Sequence, residues 1–117
     1  MQIETAPPAF RISIDTEELR VRLASSAPPA VAEILGPQHF STGHLPGAVN
    51  LPLEGFGESA ARVLPDKDEE VVVYCASEAC QNSDLAERQL RALGYSKVRV
   101  YRGGKAAWKA AGLSLET

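Results

Sequence analysis

Four short apolar runs divide the chain and have the length of buried strands. They lie at 31–35, 49–51, 71–74 and 98–101. The run Val71-Val72-Val73-Tyr74 is apolar at every position, which is typical of a strand covered on both faces of a sheet. We expect a further short edge strand at 11–14.

The segments between these runs carry apolar residues at helical spacing. Phe56, Ala60 and Val63 repeat in this way within 54–64, and Ala86 and Leu90 repeat within 83–93. A first helix begins at Asp15 or Thr16, with Glu18 placed for a capping box, and ends before Pro28. The remaining predicted helices are a short turn at 37–40 and a final helix at 105–111.

Strands that alternate with helices through short loops predict an α/β fold. We expect a central, mostly parallel sheet of about five strands with helices on both faces. The chain should form a single domain over 11–117, preceded by a lead-in at 1–10. In such sheets ligands bind at the carboxyl ends of the strands.

Composition and charge narrow the function classes. The chain has 117 residues, 44% hydrophobic and 23% charged, with a net charge of −3 and no basic run. This balance gives no reason to expect nucleic acid or a membrane surface as partner. The amino terminus lacks a signal-peptide pattern and no apolar stretch is long enough to span a bilayer, so we expect a cytoplasmic protein.

Cys75 stands at the carboxyl end of the run 71–74, where a strand opens into a loop. The loop leads into the helix predicted from Ser83. Backbone N–H groups and a helix dipole meet at such a place, and they stabilise a thiolate, a persulfide or a bound anion. A thiol with a lowered pKa is a nucleophile at neutral pH. The second cysteine, Cys80, lies in the same loop.

Four motifs, in this order and near their usual spacing, resemble those of a single-domain rhodanese over about residues 12–115. They are Gly43-His44-Leu45-Pro46-Gly47-Ala48-Val49-Asn50-Leu51-Pro52, Val72-Val73-Tyr74-Cys75, Leu93-Gly94-Tyr95, and Gly103-Gly104 followed by Trp108.

The resemblance implies a sulfurtransferase that takes a sulfane sulfur from a donor and passes it to a nucleophilic acceptor. By that resemblance Cys75 carries the sulfur as a persulfide, and the loop that follows cradles it with backbone N–H groups. The implied loop residues are Ala76, Ser77, Glu78, Ala79, Cys80 and Gln81. The implied partners are a small-molecule or protein sulfur donor and a thiol acceptor, and no cofactor is implied.

Three departures from the family pattern bear on the substrate. The loop is longer by two residues, as in a subgroup with a Cys-x4-Cys loop, which suggests a wider pocket. It carries no Arg or Lys but does carry Glu78, which argues against the dianion thiosulfate as preferred donor. The strand that usually reads Asp-Val-Arg reads Glu33-Ile34-Leu35, and His39 replaces an acid before Phe40, so we infer that an ion pair was lost as a unit.

Cys80 has two interpretations. It is either an inert loop residue or a resolving thiol that attacks a sulfenic acid or persulfide on Cys75 and closes a disulfide. A thioredoxin-like reductant would then reset the pair. An alternative function follows from the same two thiols, namely a non-enzymatic redox-sensing or sulfur-binding module.

Other candidate sites have simpler explanations. A rhodanese-fold phosphatase or arsenate reductase needs a loop arginine to hold its oxyanion, and residues 76–84 contain none. His39 and His44 have a spacing to the cysteines that suggests zinc, but His44 is better explained as a turn residue that bonds the backbone, so we expect no metal. Ser77 and Ser83 could each donate a hydroxyl to the cradle or to the helix amino terminus, but we expect ordinary helix capping by Ser83 or Asn82. Arg102 could approach the mouth of the pocket, but we expect a surface position for it, and for Trp108 a core position.

Overall fold

The structure of the protein is a computed structural model that describes residues 12–117. Strands and helices alternate along the chain, as predicted. The strands of this part of the chain are β1 (Ala30–Glu33), β2 (Val49–Asn50), β3 (Val71–Tyr74) and β4 (Val98–Tyr101). Its helices are α1 (Thr16–Leu23), α2 (Pro37–Thr42), α3 (Phe56–Val63), α4 (Asn82–Ala92) and α5 (Gly104–Ala110).

The strands form one parallel sheet in the order β2-β1-β3-β4. The predicted parallel α/β fold is confirmed, but the sheet of the described residues has four strands rather than about five. Where a fifth was predicted, Ser13 makes a single parallel bridge to Val100. The chain cannot continue along this edge because Asp15 already caps α1. Arg11 and the lead-in 1–10 lie outside the described residues.

Helices cover both faces of the sheet, as expected. Side chains alternate between the faces of a strand, so β3 sends Val71 and Val73 to one side and Val72 and Tyr74 to the other. The first face packs against α3 and α4, and the second against α1 and α5. The carboxyl end of β3 therefore lies between helices from both layers.

The start of α1 shows half of the predicted capping box. The Glu18 amide donates to Asp15 Oδ1 at 2.8 Å, which is the expected cap. The Glu18 carboxylate does not return to the cap but accepts from Arg99 Nη1 at 2.7 Å. Arg99 is only 2% exposed, so a charged partner is worth more there than a second cap contact. This pair attaches α1 to β4.

Candidate active site

Cys75 follows the last residue of β3 and is 2% exposed. All four residues of β3 are buried, and strands pair with β3 on both sides. The structure thus confirms the predicted strand, loop and helix around this residue. The side chain is therefore held at the carboxyl edge of the sheet by a buried strand that is paired on both sides.

The sulfur atoms of Cys75 and Cys80 are joined as a disulfide, and the Cα atoms of the two residues are 6.3 Å apart. This separation is within the range that disulfides ordinarily span. Cys80 is partly exposed, whereas Cys75 is buried. The loop therefore brings together the two thiols that the sequence placed five residues apart.

Two oxygen atoms lie near the Cys75 sulfur. Cys80 O is 3.4 Å from Cys75 Sγ, and Ser83 Oγ is 3.7 Å from it. Ser83 is 2% exposed in the first turn of α4, so its hydroxyl faces the sulfur from inside the protein. A hydroxyl in this position is able to donate to a thiolate.

The predicted capping of α4 by Ser83 or Asn82 is wrong. The cap residue is Gln81, and its side chain makes no capping hydrogen bond. Asn82 Nδ2 instead donates to Ile34 O at 3.1 Å, which attaches the start of α4 to the chain after β1. The side chains of Asn82 and Ser83 therefore contact groups outside α4 and position the end of the loop, and neither caps the helix.

The loop 76–81 folds back on itself in this disulfide form. The Ala79 amide donates to Ser77 Oγ at 3.3 Å, and the Cys80 amide donates to Ser77 O at 3.1 Å. These are two of the amides that the resemblance assigned to the persulfide cradle. Ala76, Glu78 and the other tip residues Ala79 and Gln81 are exposed, so the centre of the loop meets solvent.

The amino-terminal end of α5 anchors the base of the loop. The Lys105 amide donates to Cys75 O at 3.1 Å, and the Ala106 amide donates to Ala76 O at 3.0 Å. Gly104, with φ +62°, lies so close that a Cβ there would be 2.4 Å from Cys75 O. Only glycine tolerates both this conformation and this approach, which explains the second glycine of the pair.

A buried polar network lies beneath the loop, and sequence reasoning missed its cationic member. Glu33 is fully buried and accepts from the Tyr74 hydroxyl at 2.7 Å. Lys105 Nζ lies 3.1 Å from the second carboxylate oxygen and donates to His39 O at 2.7 Å. The Lys105 contact has the distance of an ion pair but not hydrogen-bond geometry, so Glu33 Oε2 receives no hydrogen bond in the described structure.

This network supplies Glu33 with a cation from elsewhere in the chain. The sequence suggested that the usual ion pair of the strand was lost, and Lys105 is 72 positions away from Glu33. No local pattern signals such a pairing. Burial, followed by the hydrogen bond to Glu33, raises the pKa of Tyr74, so its hydroxyl remains a donor.

The sequence model of the rhodanese-like domain family matches residues 15–111. This range contains the sheet, the helices α1 to α5 and the loop. The chain belongs to the rhodanese-like domain family. It is similar to a sulfurtransferase from Allochromatium vinosum, with 34% identity over 102 residues that cover 87% of this chain and 92% of the relative. It is also similar to the thiosulfate sulfurtransferase PspE of Escherichia coli, with 34% identity over 91 residues that cover 74% and 86%.

Solved structures agree with this assignment. The crystal structure of the Alr3790 protein from Anabaena has a TM-score of 0.78 and 30% identity, covering 88% of this chain and 90% of the other. A thiosulfate sulfurtransferase from Pseudomonas aeruginosa has a TM-score of 0.78 and 26% identity, with 89% of this chain and 20% of the longer one covered.

The remaining predicted residues of this rhodanese-like domain have structural partners. His44 Nδ1 lies 3.0 Å from Phe40 O and its ring stacks on Phe40, which agrees with a role in fixing the turn. Arg102 is half exposed and bonds Asp84 and Ser13. Trp108 is in the core, as predicted.

Within residues 12–117, no group of three or more His, Cys, Asp or Glu side chains is positioned for a metal ion. None of the helices in the same range has the length and apolar character that crossing a membrane requires.

An open cavity of about 390 Å³ borders the loop. Its walls are small side chains of α5 and the exposed residues of the loop tip. The lining residues are Ser77, Glu78, Ala79, Gly103, Ala106, Ala107 and Ala110. The cavity gives an approach to the loop, and among the described residues that line it Glu78 is the only one with a charged side chain.

Proposed function

We propose that this rhodanese-like domain is a sulfurtransferase that carries a sulfane sulfur as a persulfide on Cys75. The observation that supports the proposal most directly is the position of that residue. Its sulfur is buried at the end of β3 and faces the Ser83 hydroxyl of α4, and its backbone carbonyl accepts from the Lys105 amide of α5. Relatives named as sulfurtransferases agree with this chemistry.

The reaction has two transfer steps, which begin once the disulfide is reduced. The Cys75 thiolate attacks the sulfane sulfur of the donor, so that a new S–S bond forms and the remainder of the donor leaves with the electron pair. The acceptor then attacks the outer sulfur, and Cys75 leaves as a thiolate. The amino-terminal end of α4 and the nearby amides stabilise the negative charge in both steps.

The charges around the loop favour a donor other than thiosulfate. Loop residues 76–81 include no cation, and Glu78 borders the cavity beside the loop. Arg102 lines a cavity together with Glu78, but its guanidinium is held by Asp84 and Ser13. A dianion would approach without a side-chain counter-charge, whereas a persulfide or polysulfide carries less charge to the site.

The test is intact mass spectrometry of the reduced protein after exposure to thiosulfate, mercaptopyruvate, glutathione persulfide or a cysteine desulfurase. We expect the mass of one sulfur atom to be gained with glutathione persulfide or the desulfurase, stably in Cys80→Ser and at least transiently in wild type, and less of it to be gained with thiosulfate. Cys75→Ser should gain none, while Cys80→Ser, the matched control in the same loop, should still gain it. If no donor adds sulfur to either wild type or Cys80→Ser, the proposal is wrong.

The disulfide supports a second candidate, a redox-sensing module without transfer activity. In that case the Cys75–Cys80 bond would itself be the signal, formed and broken reversibly under physiological reductants. A protein that forms the disulfide reversibly but accepts sulfur from no donor, even as Cys80→Ser, would favour this second candidate.

A further inference from the structure

We infer that the loop has a second activity, in which Cys80 reduces the persulfide on Cys75 and releases hydrosulfide. The inference rests on the proposed persulfide. It turns the loop from a sulfur carrier alone into a persulfide reductase when no acceptor is bound. The Cys75–Cys80 disulfide of the structure is then the product of this step.

The bonded atoms show which sulfur of a Cys75 persulfide Cys80 is able to reach. A persulfide has an inner sulfur, which is Cys75 Sγ, and an outer sulfane sulfur. Attack on the outer sulfur would move it to Cys80 and leave Cys75 as a thiol. Attack on the inner sulfur expels the outer one and joins the two cysteines. Since Cys80 is bonded to Cys75 Sγ with Cα atoms 6.3 Å apart, the loop permits the second reaction.

The step balances without another reactant. The Cys80 thiol gives up its proton, and its sulfur forms a bond to Cys75 Sγ. The bond between the inner and outer sulfur breaks, and the outer sulfur leaves with both electrons as hydrosulfide. The sulfane sulfur is thereby reduced by two electrons, and the two cysteines are oxidised to a disulfide.

The fold allows the tip of the loop to move while its ends stay in place. The first end is fixed by the amides of Lys105 and Ala106, which bond Cys75 O and Ala76 O. The second end is fixed by Asn82, which bonds Ile34 O. Between these anchors the contacts are local, with Ser77 as acceptor for the next amides.

The turn at Ser77 and the persulfide cradle compete for the same donors. In the disulfide form the amides of Ala79 and Cys80 donate to Ser77, so they are not directed at Cys75 Sγ. A cradle built from the loop amides needs them for the outer sulfur. Closing the turn therefore withdraws two donors from the persulfide as it brings Cys80 to the inner sulfur.

The difference in exposure determines how the loop is reset. Cys75 is 2% exposed, whereas Cys80 is partly exposed at the loop tip. An external dithiol therefore attacks the Cys80 sulfur, and Cys75 leaves as the thiolate that starts the next cycle. The second thiol of the reductant then breaks the mixed disulfide on Cys80, which makes a protein or small-molecule dithiol the implied partner.

A single-turnover experiment tests the inference. The protein is reduced, freed of reductant, treated with one equivalent of glutathione persulfide, and analysed for hydrosulfide and for intact mass. We expect wild type to release close to one equivalent of hydrosulfide and to lose two hydrogens. Cys80→Ser and Cys80→Ala should keep the added sulfur and release hydrosulfide at least about tenfold more slowly, because a thiol in the same loop acts at an effective concentration on the order of millimolar or above.

The outcomes separate this inference from the proposed function. If wild type keeps its added sulfur as long as the two Cys80 variants do, the second activity is absent and the carrier function stands. The same conclusion follows if the Cys80 variants release hydrosulfide as fast as wild type does. If neither wild type nor the Cys80 variants gain sulfur, the proposed persulfide itself fails. Cys75→Ser should show neither added sulfur nor hydrosulfide, and hydrosulfide from it would contradict both.

Discussion

The two faces of the sheet are built from different chemistry. Among the described residues, the buried side chains under α3 and α4 are hydrocarbon apart from Ser83 at the start of α4 and Tyr95, whose hydroxyl bonds two backbone carbonyls. The face under α1 and α5 buries the carboxylate of Glu33, the guanidinium of Arg99 and the hydroxyls of Tyr74 and Tyr101 among its apolar side chains. The first face supplies most of the apolar packing, while the second also fixes the helix that anchors the Cys75 loop.

The apolar face therefore contributes mainly to the stability of the fold, whereas the polar face also sets the positions of individual atoms. Apolar burial is non-directional, so the α3–α4 face holds the layers together without setting individual atoms. The polar contacts on the other face have defined partners and distances. Lys105 illustrates the point, because its amide bonds Cys75 O while its ammonium lies beside Glu33.

The largest expected effect comes from breaking the buried pair. Lys105→Met leaves the Glu33 carboxylate in the core without a cation, and we expect the free energy of unfolding to fall by about 3–5 kcal/mol. Adding Glu33→Gln should recover part of this loss, because no uncompensated charge remains. Urea denaturation of the two single variants and the double variant measures both effects.

The control for that experiment is Lys109→Met, an exposed lysine on the same helix, which should change stability by no more than about 0.5 kcal/mol. Equal losses from the Lys105 and Lys109 variants would mean that the network contributes nothing beyond surface charge. The contrast between the two faces would then not hold.

A smaller difference in the free energy of unfolding is expected between Phe variants of two tyrosines, one from each face. Tyr74→Phe removes a donor to Glu33 and an acceptor for the Leu45 amide, and we expect a loss of about 1–3 kcal/mol. Tyr95→Phe removes donation to Ala60 O and Leu64 O, but Ala60 O still accepts from the Leu64 amide, so the loss should be about 1 kcal/mol. Thermal or urea unfolding compares the two, and a larger loss for Tyr95→Phe would reverse the proposed contrast.

The smallest difference between the two faces is expected in how their tyrosines contribute to the dependence of stability on alkaline pH. Burial raises the pKa of Tyr74, Tyr95 and Tyr101 above their ordinary value. Above about pH 10 the unfolded tyrosines lose their protons while the folded ones keep them, so stability should fall by at most about 1.4 kcal/mol per pH unit for each tyrosine. Urea denaturation of wild type and both Phe variants from about pH 8 to about pH 11, a range that brackets the ordinary tyrosine pKa, measures the slope.

The two Phe variants should flatten that slope to different degrees. Tyr74 has both burial and the neighbouring Glu33 raising its pKa, whereas burial alone raises that of Tyr95. We therefore expect Tyr74→Phe to flatten the alkaline slope more than Tyr95→Phe does. The same slope in wild type and Tyr74→Phe would show that this hydroxyl does not contribute to the pH dependence.

Sequence patterns predicted the elements well because the strands and most helices repeat at clear periods. The bounds of β3 and β4 were right, and α4 and α5 each begin one residue before the predicted start. The motif around Cys75 predicted the correct strand, loop and helix. The predicted caps of α4 were wrong, because Asn82 and Ser83 bond groups outside their own helix. Within the described residues the predicted edge strand at 11–14 is reduced to one parallel bridge at Ser13, because Asp15 caps α1 and turns the chain away from the sheet edge.

The amino-acid sequence by itself determined the α/β fold, the place of Cys75 at a strand end and the presence of a second thiol in its loop. Each depends on local order, which is either the period of apolar residues or the succession of strand, loop and helix. Tertiary structure alone decided that Lys105 compensates Glu33, that Ser83 faces the sulfur and that Ser77 draws in the loop amides. These contacts depend on distances between individual atoms. Packing of the elements sets those distances, so the spacing of residues along the chain does not predict them.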